Sequence, residues 1–522
     1  MGKLLCWSLA AALTAILAGC CWGVQVNLPP PETDWKILVA VPAIRRNHWN
    51  MFKPLLEALA DRGHQVVVLQ TMKAAFSHPN ITEVVVSVNK TSIASRFQKI
   101  NPAEALSLLE VYLLPLVSKF YSSPKIMEYH RRRKEFDVVI TDQLFNEMAY
   151  PFAEGMPFIT LATAGNEPRQ SAVMGNVLNP ACDANEYFDY PRPYSLLHRL
   201  HNLYITLTTA GYWRVWGMMP KIQREVSKFF PNLPPLLEIE RNVSLSLLNS
   251  NLGNSAPGPL LPSQVEVGSM HCVPGSRLPQ DVESWLDGAG PGGVIYFSLG
   301  SVATGVSMPD ELRRIFLDAF RRLEYRVIWK YESKLEGVSE NVLIKEWMPQ
   351  QDILADPRVK LFITHGGLLS TLEAVCHSTP LLAIPIFADQ PKNAKMIVTR
   401  ELGLSLEWSE LSVDLLVATI REVVTNPKYE RNLREASRVA LDLPRPPLET
   451  AVFWTEYVMR HRGAPQLRSP AADLSWVEFL MVDVLACLSL AVLLLLCGLR
   501  KLLSPRCWMW VAYSFNLKKK ID

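Results

Sequence analysis

The chain has 522 residues, 49% of them hydrophobic, and a net charge of only +3. That length exceeds one ordinary core and predicts two domains plus extra segments. The apolar content excludes a disordered chain, and the balanced charge gives no sign of nucleic acid as a partner.

Taken in chain order, residues 1–24 read as a cleaved secretory signal: Lys3, an apolar stretch and then small residues ending near Gly23. Residues 25–250 read as a first α/β domain. Its runs at 37–43, 65–70, 83–88, 137–142 and 157–163 have the unbroken apolar character of strands buried on both faces. Between the first two, residues 49–62 have helical spacing and stop at Gly63. In "RRNHW", His48 stands at the start of that helix, and Asp142 ends the run "DVVITD". Parallel strand order can bring these two within hydrogen-bond reach. His64 precedes a strand at the opposite edge and reads as structural. "HRRRK" at 130–134 reads as a solvated helix end. The aromatic helical stretch 190–240, with "TAGYWRVWGMM" at 209–219, suits either a pocket wall or a core. Sequons at Asn80, Asn89 and Asn242 fit glycosylation of a luminal body.

The Asn, Ser, Gly and Pro of 249–264 mark a linker, taken over 251–292, before a second domain at 293–463. Its strands are expected at 294–301, 326–331, 342–347, 359–367 and 380–386. Two doubly wound α/β domains facing across a cleft follow, and ligands bind such sheets at the strands' carboxyl ends. Four strand ends there carry suitable chemistry. Gly366 and Gly367 leave bare backbone amides at a helix start, a seat for phosphate, with His365 and Ser370 as added donors. Glu373 is an acceptor suited to ribose hydroxyls, while Asp389 and Gln390 suit sugar hydroxyls. Trp347 and Gln350 offer a plate and an amide to a flat heterocycle, and Ser301 closes a fourth strand.

An amphipathic helix at 446–462 is placed to cross back onto the first domain. After a membrane-proximal segment, 464–478, residues 479–499 are long and apolar enough to span about 30 Å of hydrocarbon. Basic residues in the tail, 500–522, put the tail in the cytosol and the body in the lumen. The terminal "KKID" resembles the dilysine retrieval signal of endoplasmic reticulum membrane proteins. Of nine cysteines, only Cys182, Cys272 and Cys376 lie in the body, where one bridge can form but packing is the default.

"WMPQQ", "THGGLLSTLEA" and "PIFADQ" together resemble the signature of the membrane-bound animal UDP-glycosyltransferases, in their invertebrate-like form. The resemblance runs through the whole chain. It implies a GT-B fold of two Rossmann-like domains with a C-terminal transmembrane helix, and an endoplasmic reticulum, single-pass type I protein with a luminal body. By the same resemblance Trp347 and Gln350 hold uracil and Glu373 the ribose. His365, Gly367, Ser370 and Ser301 serve the diphosphate, while Asp389 and Gln390 hold the sugar. His48 and Asp142 form a base dyad that deprotonates an acceptor hydroxyl, with inversion at the anomeric carbon. UDP-sugar enters as co-substrate, with no cofactor and no metal, since no Asp-x-Asp motif occurs. The implied acceptor is a small lipophile and the donor sugar glucose, with glucuronic acid as the alternative. A homo-oligomer is compatible with this reading. Leu369 departs from the family, many of whose members carry Asn there. Two rivals remain: a non-catalytic UDP-sugar-binding relative or partner subunit, and a membrane receptor with an inert ectodomain.

Overall fold

A computed structural model describes residues 26–74, 76–87, 102–185, 187–188, 190–251, 257–300, 305–502 and 509. The signal segment, Asn89, Ser301 and the dilysine tail lie outside the described residues. The body, through Arg468, holds two all-parallel sheets.

The first sheet contains β1 (Lys36–Val41), β2 (Gln65–Gln70), β3 (Ile81–Val85), β4 (Val138–Asp142), β5 (Phe158–Ala162), β6 (Leu245–Leu248) and β7 (Gln264–Glu266). Their order is β3-β2-β1-β4-β5-β6-β7. The continuous apolar runs have a direct cause. Ile37, Val39 and Val41 of β1 face a core shared with helix α1 (Trp49–Asp61). Leu38 and Ala40 face the opposite core, shared with helix α2 (Pro102–Tyr121). Both faces are covered, so the strand needs no polar side. After α1, Gly63 takes φ +97°, where a side chain would be strained and would meet Asp34.

The second sheet contains β8 (Val294–Ser298), β9 (Arg326–Lys330), β10 (Val342–Lys345), β11 (Val359–Thr364), β12 (Leu381–Ala383) and β13 (Gly403–Ser405), ordered β10-β9-β8-β11-β12-β13. It too is sandwiched between two apolar layers. Both sheets reverse strand order once, between β1 and β4 and between β8 and β11. Those switch points open crevices at the strands' carboxyl ends.

One boundary needs correction. The polar, proline-rich stretch expected as an interdomain linker joins β6 to β7, and β7 belongs to the first sheet. The connection between the sheets therefore starts after Glu266. Part of it, the helix Gln280–Asp287, already packs on the second sheet through Val282 and Leu286. Three helices carry the second site: α3 (Gln350–Leu354), α4 (Leu368–His377) and α5 (Gln390–Thr399).

Helix α6 (Pro447–Arg460) does return to the first domain. Leu448, Ala451, Val452 and Val458 join the core over α1. Glu456 accepts from Arg62 Nε at 2.5 Å and lies 3.1 Å from His64 Nε2. His64, fully buried, also accepts from Trp35 N through Nδ1, which gives it the structural role expected. A disulfide between Cys272 and Cys376 ties the intersheet connection to α4, where packing alone was the default.

The C-terminal unit, residues 469–522, has its own helix α7 (Val482–Leu502). Residues Val482–Lys501 of it are apolar enough to cross a membrane. The expected start at Phe479 moves inward, because Met481 at φ +51° separates a short turn of helix, Trp476–Phe479, from the long one.

Candidate active site

β1 runs into a loop pinned by Asn146, whose Oδ1 accepts from Ala43 N at 2.8 Å. That loop turns back through His48 N donating to Arg45 O, and places His48 at the mouth of α1. The next strand in space, β4, ends on Asp142. His48 Nδ1 lies 2.5 Å from Asp142 Oδ2, with the carboxylate 1% exposed. Thr163 at the end of β5 donates to Asp142 Oδ1 at 3.0 Å, and Leu144 N donates to the same oxygen at 3.1 Å. An acid held this way accepts from Nδ1–H and fixes the tautomer that leaves Nε2 as a proton acceptor. Thr163 escaped the sequence reading. Its signal was a hydroxyl ending the strand beside that of Asp142.

In the second domain β11 delivers His365 to its carboxyl end. A Cβ built on either Gly300 or Gly367 would lie 2.6 Å from the His365 ring, so both glycines exist to let imidazole and backbone close on each other. Burial, with the nearby Lys330 charge, pushes the His365 pKa down to about 4. The ring is therefore neutral, and its Nδ1 has no partner among the described residues. Lys330, not anticipated, ends β9 on this edge; it donates to Gly300 O at 2.9 Å and pairs with Glu332.

Helices α3 and α4 bring three expected residues together. Gln350 Nε2 donates to Glu373 Oε2 at 2.5 Å and to Ser370 Oγ at 3.1 Å, while Tyr296 OH donates to Gln350 Oε1. Burial raises the Glu373 carboxyl to about 7, against the pull of Gln350 and Asn50. Asp389 immediately precedes α5; burial raises its pKa, and Asn393 ties it to the Gly366 carbonyl. Gln390 is more committed than expected. Its Oε1 accepts from Ile386 N and Phe387 N, which leaves the amide nitrogen as the part of the side chain not used in these bonds.

First-domain side chains touch this site. Asn50, on α1 two residues past His48, donates to Glu373 Oε1 at 3.3 Å. Arg46 lays its guanidinium 3.9 Å over the Trp347 ring, which is otherwise 55% exposed. Leu369 packs into the first domain's core over α1. Of the sequons, Asn242 is exposed, whereas Asn80 Nδ2 already donates to Ala60 O.

Two doubly wound sheets with both switch-point crevices bridged by such contacts are the architecture of a GT-B glycosyltransferase. Solved structures agree on the fold: the spinosyn forosaminyltransferase SpnP superposes with TM-score 0.56 over 82% of this chain and 100% of its own at 17% identity. The calicheamicin glycosyltransferase CalG4 gives 0.53 over 82% and 99%, also at 17%. Sequence narrows the class further. Residues 36–516 match the UDP-glucoronosyl and UDP-glucosyl transferase family, and the chain belongs to it. Among its relatives, UDP-glycosyltransferase UGT5 of Dactylopius coccus is 32% identical over 87% of this chain and 88% of its own. UDP-glucuronosyltransferase 2B9 of Macaca fascicularis is 28% identical over 92% and 94%.

Proposed function

We propose that this UDP-glycosyltransferase moves glucose from UDP-glucose to a hydroxyl of a small lipophilic acceptor, with inversion, at the luminal face of the endoplasmic reticulum. The observation that carries the reading is the bridge along α1. That helix opens on His48, with Nε2 left free by Asp142, and two residues on it reaches Glu373 in the second domain. One rigid element thus links a general base to a donor cradle.

The donor's uracil stacks on Trp347 beside Gln350, and its ribose hydroxyls meet Glu373. The diphosphate lies against the α4 amides, where Gly367, Ser370 and neutral His365 donate. Asp389 and the Gln390 amide hold sugar hydroxyls. His48 Nε2 takes the acceptor's proton as its oxygen attacks the anomeric carbon, and the bonding pair of the broken bond departs with UDP. Donors on the diphosphate side stabilise charge where it develops. Glucose is favoured over glucuronate because the lysines that end strands of this sheet, Lys330 and Lys345, are already paired with Glu332 and Asp281. The signal, the span of α7 and the tail support the membrane placement.

The test is acceptor-dependent UDP release by microsomes carrying the wild-type chain or His48→Ala, with UDP-glucose, UDP-glucuronic acid and a panel of phenols. Release with UDP-glucose is expected, falling about 10²–10⁴-fold in the mutant while UDP binding persists. A wild type that binds UDP yet is silent with every donor and acceptor would sink the catalytic reading.

A further inference from the structure

Beside the base stands a cation that the proposed chemistry does not use. Arg45 opens the turn whose fourth residue is His48; its carbonyl accepts from His48 N at 3.0 Å, which keeps the two Cα atoms within about 7 Å. Its neighbour Arg46 turns toward Trp347 in the second domain. Arg45 instead turns inward, where its guanidinium lies 5.1 Å from the centre of the Tyr112 ring on α2. The side chain is partly buried, and among the described residues no carboxylate or carbonyl lies within bonding distance of it. Burial lowers its pKa, as expected of a guanidinium removed from water without an anion to balance it.

Such an arrangement is costly, because arginines withdrawn from water are ordinarily paired. A second observation points the same way. Asn47 Oδ1 and Gln143 Oε1, adjoining His48 and Asp142 in sequence, are buried with no hydrogen-bond partner among the described residues. Polar atoms enclosed this way are normally satisfied by something. An unbalanced guanidinium on the turn that carries the base, with two unsatisfied amide oxygens on the residues next to His48 and Asp142, describes a ligand with an anionic group and hydroxyls.

We propose that Arg45 binds a carboxylate on the acceptor, so that the enzyme glycosylates hydroxylated organic acids in preference to neutral phenols. This rests on the transferase reading above. The carboxylate lies flat against the guanidinium fork. A separate hydroxyl of the same molecule reaches His48 Nε2 and forms the new bond to the anomeric carbon. The proton stays on His48, the anomeric carbon–phosphate bond breaks toward UDP, and the product keeps its free acid. Tyr112 packs against the guanidinium and fixes its plane.

The experiment pairs two acceptors that differ only in the acid: 3-(4-hydroxyphenyl)propanoate and its methyl ester, with UDP-glucose and the full-length membrane protein. For wild type, kcat/KM for the acid should exceed that for the ester by at least tenfold. In Arg45→Ala and Arg45→Gln the acid-to-ester ratio should fall to near one, through KM for the acid, with UDP binding by calorimetry retained as the check on folding. Arg45→Lys should recover part of the ratio. Turnover of the ester equal to or better than the acid by wild type overturns the acid preference but leaves the transferase intact. A ratio unchanged in Arg45→Ala removes Arg45 as its reader. Silence with both compounds and with all neutral phenols defeats the transferase reading as well.

Discussion

Glu373 sets the pH behaviour expected of donor binding. Burial holds its carboxyl near 7, and hydroxyls that donate to it require the ionised form. Binding therefore favours loss of the proton, and KM for UDP-glucose should rise up to tenfold per pH unit below about 7, flattening above. The stability sign is opposite. A carboxyl raised in the folded state destabilises it increasingly from about pH 4.5 to 7, by roughly 3 kcal/mol in full. Glu373→Gln should thus melt higher than wild type at pH 8, by thermal denaturation, and lose affinity for UDP. A variant that melts lower at pH 8 would contradict this. His365, Gly367, Ser370 and Glu373 were legible as a group because they sit close together in the chain, in one strand, turn and helix. Thr163, Lys330 and Arg46 were not. Each reaches the site from another strand end or from the other domain, and adjacency across a sheet leaves no mark in the local sequence.

At the scale of elements, long strands and amphipathic helices were readable from their runs and periods. β6, β7 and β13 were missed because none has the unbroken apolar run of three or more residues that marks the equally short β10 and β12. β7 in particular follows a stretch with the composition of a linker, and that stretch hid a continuing sheet. Helix α6 was readable as a return helix but its anchor was not. Burial alone would raise Glu456, yet His64 and Arg62 hold it below the usual carboxylate range. Its contribution is present above the unfolded carboxylate pKa and is lost as pH falls below about 4.5. Glu456→Ala leaves Arg62 and His64 enclosed without their acid and should cost about 3–5 kcal/mol, read by urea unfolding. A loss under 1 kcal/mol would mean that the apolar contacts of Leu448, Ala451 and Val452 hold the helix alone.

For the whole molecule, the disulfide between Cys272 and Cys376 ties the crossing between the domains to the helix that carries Ser370 and Glu373. Thiol labelling of the native body should modify Cys182, which is exposed, and reach the other two only after reduction. Replacing both by serine should lower stability by about 2–4 kcal/mol. Labelling of Cys376 without reductant would show the bridge to be absent.

The return of α6 also has a consequence for how the chain is made. The first domain's core stays uncovered over α1 until α6 emerges, some 390 residues after Asp61. At ribosomal speeds of about 5–20 residues per second, that is a wait on the order of 20 to 80 s. Throughout it the apolar face of α1 stands open, and Arg62 and His64 lack their acid. The nascent domain is then a client for whatever shields exposed apolar surface during synthesis. Any exchange of domains between such enzymes, to trade one acceptor range for another, must carry residues 447–460 along with the amino-terminal half.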